Sequence, residues 1–115
     1  MDIEEIRAYC LEKPGVSECF PFDEVTLVFK VGGKMFALIS LDGDASINLK
    51  CDPEKAIELR EHFSFVLPGY HMNKMHWNTV LMRSAVSNGQ LKEWVDWSYG
   101  LVKNSLPKKI KAELE

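Results

Sequence analysis

Val25, Leu27, Phe29 and Val31 alternate with Thr26, Val28 and Lys30, and the run stops at Gly32-Gly33 before a second apolar run from Lys34 to Leu41. Alternation at period two, broken by two glycines, specifies a β-hairpin, because a two-residue turn needs positive φ at its central positions. After the Asp42-Gly43-Asp44 turn, Ile47 and Leu49 alternate with Ser46, Asn48 and Lys50 as a third strand. One face of this meander is apolar. The other is expected to carry Thr26, Lys30, Ser46, Asn48 and Lys50, the half-solvated face that antiparallel sheets tolerate.

Helical signals bracket the meander. Asp2 and Glu5 form a capping-box pattern ahead of Ile3, Ile6 and Cys10, which share one face of a helix over residues 3–13 that Pro14-Gly15 ends. From there to the first strand the sequence reads as a loop. Asp52-Pro53 opens a second helix with Ala56, Leu59 and Phe63 at helical spacing. Residues 65–67 and 77–82 read as two more strands joined by a polar segment. Ser87 and Gln90 form a second capping box before a helix whose stripe runs Leu91, Trp94, Val95, Ser98, Leu101 and Val102. Ser98 is the polar member of that stripe, read as bonding its own i−4 carbonyl while its small size lets the helix approach the sheet. Leu106, Ile110 and Leu114, four apart beyond Pro107, suggest a short helix in the tail. The order α-β3-α-β2-α predicts an α+β fold, a two-layer sandwich with helices on one face of an antiparallel sheet.

A chain of 115 residues that is 46% hydrophobic has the size and the apolar content for one domain spanning residues 1–115 around one core. No run approaches the roughly 18 apolar residues of a membrane span, and the first residues are acidic rather than signal-like, so a cytoplasmic protein is expected. Cys10, Cys19 and Cys51 lack C-x-x-C spacing and are expected to be reduced and mostly buried. The net charge of −3 opposes non-specific nucleic-acid binding by the whole chain. Its distribution is uneven. Residues 64–92 contain no Asp or Glu yet carry Lys74, Arg83 and Lys92.

Within that stretch, Pro68-Gly-Tyr-His-Met-Asn-Lys-Met-His-Trp-Asn-Thr79 is the densest concentration of chemistry. Lys74 suits an anion, Asn73 and Asn78 suit base or backbone edges, and Tyr70 or Trp77 suits stacking. The bland alternative is a polar connector pinned by one buried Trp and by side-chain bonds to backbone. His71 and His76, with Cys51 or Asp52 nearby, do not make a metal set, since the spacing suits no single helix face and no fourth ligand is evident. Cys51 beside Asp52 is a poor nucleophile, because a neighbouring carboxylate raises a thiol pKa. No phosphate-binding or dinucleotide fingerprint occurs. The sequence therefore points to no catalytic residue, metal or cofactor. Pro21-Phe22 reads as an aromatic tucked into the sheet edge rather than an exposed anchor for a partner.

Taken together, Pro21-Phe22, Thr26-Leu-Val-Phe-Lys30, Gly33-Lys-Met-Phe36, Asn48-Leu-Lys-Cys-Asp-Pro53, Leu59-Arg-Glu61, the 68–79 run and Ser98-Tyr99 resemble the MmcQ/YjbR family over nearly the whole chain. The resemblance implies a sandwich similar in topology to type III secretion chaperones and a DNA-binding role through a double-wing arrangement of strands. It also implies a functional surface of Lys50, His71, Asn73, Lys74, His76, Trp77 and Asn78.

Three functional expectations follow. The first is a module contacting double-stranded DNA phosphates through Lys50, Lys74, Arg83 and Lys92, with Tyr70 or Trp77 stacking and Asn73 or Asn78 reading edges. With so few cations, log K should fall against log salt with a slope of about −3 to −4. The second is a protein-interaction or chaperone-like module that presents its open sheet face and Phe22 to a peptide, as a monomer or a homodimer. The third is an enzyme acting on a small anion held by Lys74 and the histidines, for which the residues give least support.

Overall fold

The computed structural model describes residues 1–70 and 72–114, so His71 lies outside the described residues. Their elements are α1 (Ile3–Leu11), β1 (Val16–Cys19), β2 (Thr26–Val31), β3 (Lys34–Ser40), β4 (Ser46–Lys50), α2 (Pro53–His62), β5 (Val66–Pro68), β6 (Trp77–Leu81), α3 (Asn88–Asn104) and α4 (Lys108–Leu114). All strand pairs are antiparallel, in the order β1-β2-β3-β4-β6-β5. The α+β sandwich expected from the sequence is present. No helix among the described residues is long and apolar enough to cross a membrane.

The sequence did not reveal β1. In place of the expected loop, its four residues pair with β2 from Val16↔Val31 to Cys19↔Val28. The strand is held from the helix layer by a bidentate pair in which Arg7 Nε donates to Glu18 Oε2 at 2.7 Å and Arg7 Nη2 to Glu18 Oε1 at 2.5 Å. Tertiary pairing thus imposes a strand that local pattern does not specify.

The β2–β3 hairpin closes at Val31↔Lys34, with Gly32 at φ 58° and Gly33 at φ 83°, the left-handed pair that a type I′ turn requires. Leu106 and Ile110 pack against this turn so closely that a Cβ on Gly32 would lie 2.6 Å from Leu106 Cδ1. Leu114 lies in the same way against Gly15, so the four-residue spacing in the tail serves two glycine turns, the hairpin and the end of α1.

One step into β3 the register shifts, with Phe29 opposite Ala37 but Lys30 opposite Met35. Phe36 is therefore an extra residue, a β-bulge that turns both Phe36 and Ala37 toward the helices. Helix α3 lies over β2, β3 and β4, α1 beside β1, and α2 over β5 and β6. The main core forms between the layers, around Ile6, Phe29, Phe36, Ile39, Ile47 and Val95, all fully buried. Ser98 does not bond its i−4 carbonyl. Its Oγ donates to Phe36 O at 2.5 Å and accepts from Lys50 N at 2.8 Å, bridging α3 to the two strands beside the bulge.

Candidate functional site

Helices cover one face of the sheet, and the period of two assigns the residues of the other. Cross-strand pairing arranges that open face in rows. Ser17, Lys30 and Met35 lead across to Lys50 and Trp77 at one end. Cys19, Val28, Leu38, Asn48 and Thr79 form the middle row, and Thr26, Ser40, Ser46 and Leu81 the far row. All five residues expected on this face lie there. It is not simply polar, however, because Val28, Leu38 and Trp77 make a second small buried cluster with Cys19, Met35 and Met72 against it.

Met72 packs on that cluster, and the described groups on either side of it are tied down by hydrogen bonds. Lys74 Nζ donates to Gly69 O at 2.9 Å, and Arg60 Nη2 reaches from α2 to Lys74 O at 2.6 Å. Tyr70 N donates to Thr79 Oγ1 at 2.9 Å, Asn48 Nδ2 to Tyr70 O at 3.2 Å, and Thr79 Oγ1 in turn to Asn48 Oδ1. Asn73 closes a turn by accepting from Met75 N at its side chain and from Trp77 N at its carbonyl. Gly69 lies so close to β6 that a Cβ there would sit 2.8 Å from both Cβ and O of Trp77. Gly69→Ala should therefore push the segment off the strand and cost about 1–3 kcal/mol, measured by urea unfolding; an unchanged midpoint would show that the close approach constrains nothing.

Several residues expected to form one DNA-binding surface are separated. Trp77 is only 8% exposed beneath Met72 and is not placed to stack on a base. Asn78, 2% exposed, points to the helix side, where its Nδ2 donates to Ala56 O at 3.2 Å. The alternation of β6 contained this answer, because Asn78 shares a face with the core residue Val80. Lys50 and Lys74 lie at the Trp77 end of β6, whereas Arg83 follows its other end, six residues or about 20 Å along the strand direction. Lys92 belongs to the helix layer, with its Nζ 5.3 Å from the centre of the Tyr9 ring. His76 is half-buried, and its carbonyl accepts from Cys51 N at 2.8 Å. Among the described residues no three His, Cys, Asp or Glu side chains gather as metal ligands would. Burial, reinforced by the Asp52 charge, pushes the Cys51 thiol up to about 11, which keeps it protonated and poorly nucleophilic near neutral pH.

The open face instead contains a groove of about 680 Å³, within the usual range for ligand sites. Its floor is Thr26, Ser40, Ser46 and Asn48, with Leu38 and Met72 alongside. Phe22 and Tyr70 line it from separate loops and are 64% and 68% exposed. The expectation that Phe22 tucks into the sheet edge is thus overturned. Asp23 sets the Phe22 loop by accepting from Val25 N at 2.9 Å and Thr26 N at 2.7 Å through Oδ1, an Asx turn legible in the Asp-x-Val-Thr order. The Val25 amide, and with it the Thr26 groups, holds the Asp23 carboxyl below the ordinary carboxylate range. Asp42 lies at the groove as well.

Comparison with known proteins gives a consistent lineage. A family model described as YjbR matches residues 11–101. The Escherichia coli O157:H7 protein YbdF is 40% identical over 107 residues, covering 92% of this chain and 88% of that protein. YjbR of Escherichia coli K12 is 35% identical over 108 residues, covering 93% and 92%. Among solved structures, Deinococcus radiodurans DR2400, described as a DUF419 domain, superposes with a TM-score of 0.91 at 41% identity over 97% of this chain and 86% of that one. A Pseudomonas syringae protein superposes at 0.78 with 26% identity, covering 89% and 99%. The match runs from β1 into α3 and includes every strand that builds the open face and its groove, and the chain belongs to the YjbR family.

Proposed function

We propose that this chain is a binding module that holds an extended segment of another protein in the groove of its open sheet face. The observation that carries this reading is the pairing of two exposed aromatic rings, Phe22 and Tyr70, over a floor of hydroxyl and amide groups. Exposed large apolar groups beside a concave surface cost solvation unless a partner covers them, and aromatic residues are enriched where partners anchor. The rings are carried on loops that are set by specific hydrogen bonds, Asp23 for one and the Asn48–Thr79 pair for the other. Such preorganisation reduces the ordering cost of binding.

DNA is the second reading, favoured by Lys30 and Lys50 in one row of the open face with Lys74 nearby at the same end of the sheet. Three observations weigh against it. Trp77 and Asn78 are buried, Lys74 already donates to Gly69 O, and the groove is lined by the carboxylates Asp23 and Asp42, which would repel phosphates.

A photo-crosslinking amino acid, p-benzoylphenylalanine, placed at position 22 or 70 tests the choice in cells. The expected result is an adduct to protein at both positions and none at a control site on exposed α4. Adducts to nucleic acid at those positions, or no adduct above the α4 control, would overturn the reading.

A further inference from the structure

We infer that the groove on the open sheet face selects a donor-only cation, the guanidinium of an arginine in the bound segment. This inference rests on the proposed binding role and names the chemistry the groove recognises.

The argument is an accounting of donors and acceptors. Thr26 Oγ1 gives its proton to Asp23 Oδ2 at 3.2 Å, and Ser40 Oγ gives its proton to Asp42 O at 3.4 Å. Each hydroxyl is left with lone pairs for a ligand and no proton to offer. Asn48 donates one N–H to Tyr70 O and accepts from Thr79, which leaves it one further N–H and one lone pair. Asp23 retains acceptor capacity on Oδ2, and the Asp42 side chain makes no hydrogen bond or ion pair among the described residues. Among the described residues the Ser46 hydroxyl and one Asn48 N–H remain as donors, against the spare lone pairs of Thr26, Ser40 and Ser46 and two carboxylates, so acceptors dominate and the carboxylates are negative. A guanidinium supplies five N–H donors and no acceptor, which complements that set, whereas a phosphate or carboxylate ligand supplies only acceptors.

The aromatic rings add to the same preference. Phe22 and Tyr70 line the groove, and aromatic rings attract cations, arginine more readily than lysine. The chain's own cations on this face do not compensate the carboxylates. Lys30 lies four residues along β2 from Thr26, about 13 Å away at strand rise, and Lys50 is the same distance along β4 from Ser46. The open face thus has a cationic end and an anionic end, with the groove at the anionic one.

The test is a titration of ¹⁵N-labelled protein with three capped tripeptides, Ala-Arg-Ala, Ala-citrulline-Ala and Ala-Glu-Ala, followed by amide shifts. Citrulline keeps the shape of arginine and removes its charge. The arginine peptide should shift the amides of Thr26, Ser40, Ser46 and Asn48, with the citrulline peptide about tenfold weaker, the factor expected when a cation–π and carboxylate contact is removed. Asp42→Asn, in an exposed turn, should weaken the arginine peptide several-fold without altering the citrulline peptide. Equal binding of the arginine and citrulline peptides at these amides would overturn the cation preference while leaving a segment-binding groove. Tighter binding of the glutamate peptide, or no shift at the groove with any peptide, would overturn it as well, and the crosslinking result would then judge the binding role by itself.

Discussion

Replacing Ser98 with alanine should lower the unfolding free energy by about 2–4 kcal/mol, read from the urea midpoint at an unchanged m-value. The bulge at Phe36 ends the regular β3–β4 ladder at Ala37↔Leu49, so Phe36 O and Lys50 N lose their neighbour in the sheet. Ser98 occupies that gap. Its hydroxyl satisfies both groups at once, at 2.5 and 2.8 Å, from a position with no solvent exposure. Alanine removes only one oxygen atom, and the loss of packing is correspondingly small. The cost comes from two backbone groups left buried without partners, each about 1–2 kcal/mol, in the lower part of the usual range. Ser98→Thr separates the two causes, because it keeps the hydroxyl and adds a methyl to a packed site. A loss below about 1 kcal/mol for alanine would mean that the bridge contributes little.

The bridge also marks the limit of what local sequence specifies. A serine in an apolar helical stripe is visible in the sequence, and its small size does let helix and sheet approach closely. Its partners depend on a bulge one strand away, and nothing in Lys34-Met-Phe-Ala-Leu-Ile-Ser40 announces the extra residue. What local chemistry determines was legible. Both capping boxes form, Asp2 with Glu5 and Ser87 with Gln90, and Gly32-Gly33 makes the turn that its lack of Cβ permits. Pro53 opens α2 as expected, although Asp52 contributes no side-chain cap bond. Features set by distant partners were not legible. Val16–Cys19 is a strand because β2 and Arg7 make it one, and Phe22 is exposed because Asp23 fixes its loop.

The candidate site divides along the same line. An acid-free run rich in Lys, His and Asn read as an anion-binding signal, since composition cannot tell a side chain facing solvent from one tied to its own backbone. Here Lys74, Asn73 and Thr79 are used within the fold, and their combined product is the placement of Tyr70 and Met72 over the open face. The connector pinned by a buried tryptophan, the blander of the two readings, describes much of the motif. The face left open by the helices has its groove beside Tyr70 and Met72.

Alkaline pH should destabilise the fold through two buried thiols. Burial raises Cys10 to about 12 and Cys51 to about 11, in both cases as the largest cause. Unfolded cysteine titrates near pH 8.5, so each folded value lies above its unfolded one. The protonated thiol is the form the fold favours. Its stabilisation is fully present below about pH 8.5 and is lost as pH rises toward 11 for Cys51 and 12 for Cys10. One pH unit of this difference is about 1.4 kcal/mol per group, so the pair should cost about 4 kcal/mol between pH 9 and pH 11. Tyr9, raised to about 12 by burial and then by its bond to Asp96, adds a further loss at the upper end of that range. The Cys10→Ala/Cys51→Ala double variant isolates the thiols, because Tyr9 is present in both proteins. Lost packing will make the variant less stable at pH 8. Its urea-derived stability should nevertheless fall by about 4 kcal/mol less than that of the parent from pH 9 to pH 11. Parallel pH profiles would mean that the thiols ionise in the folded chain as readily as in the unfolded one, and that their burial does not govern alkaline stability.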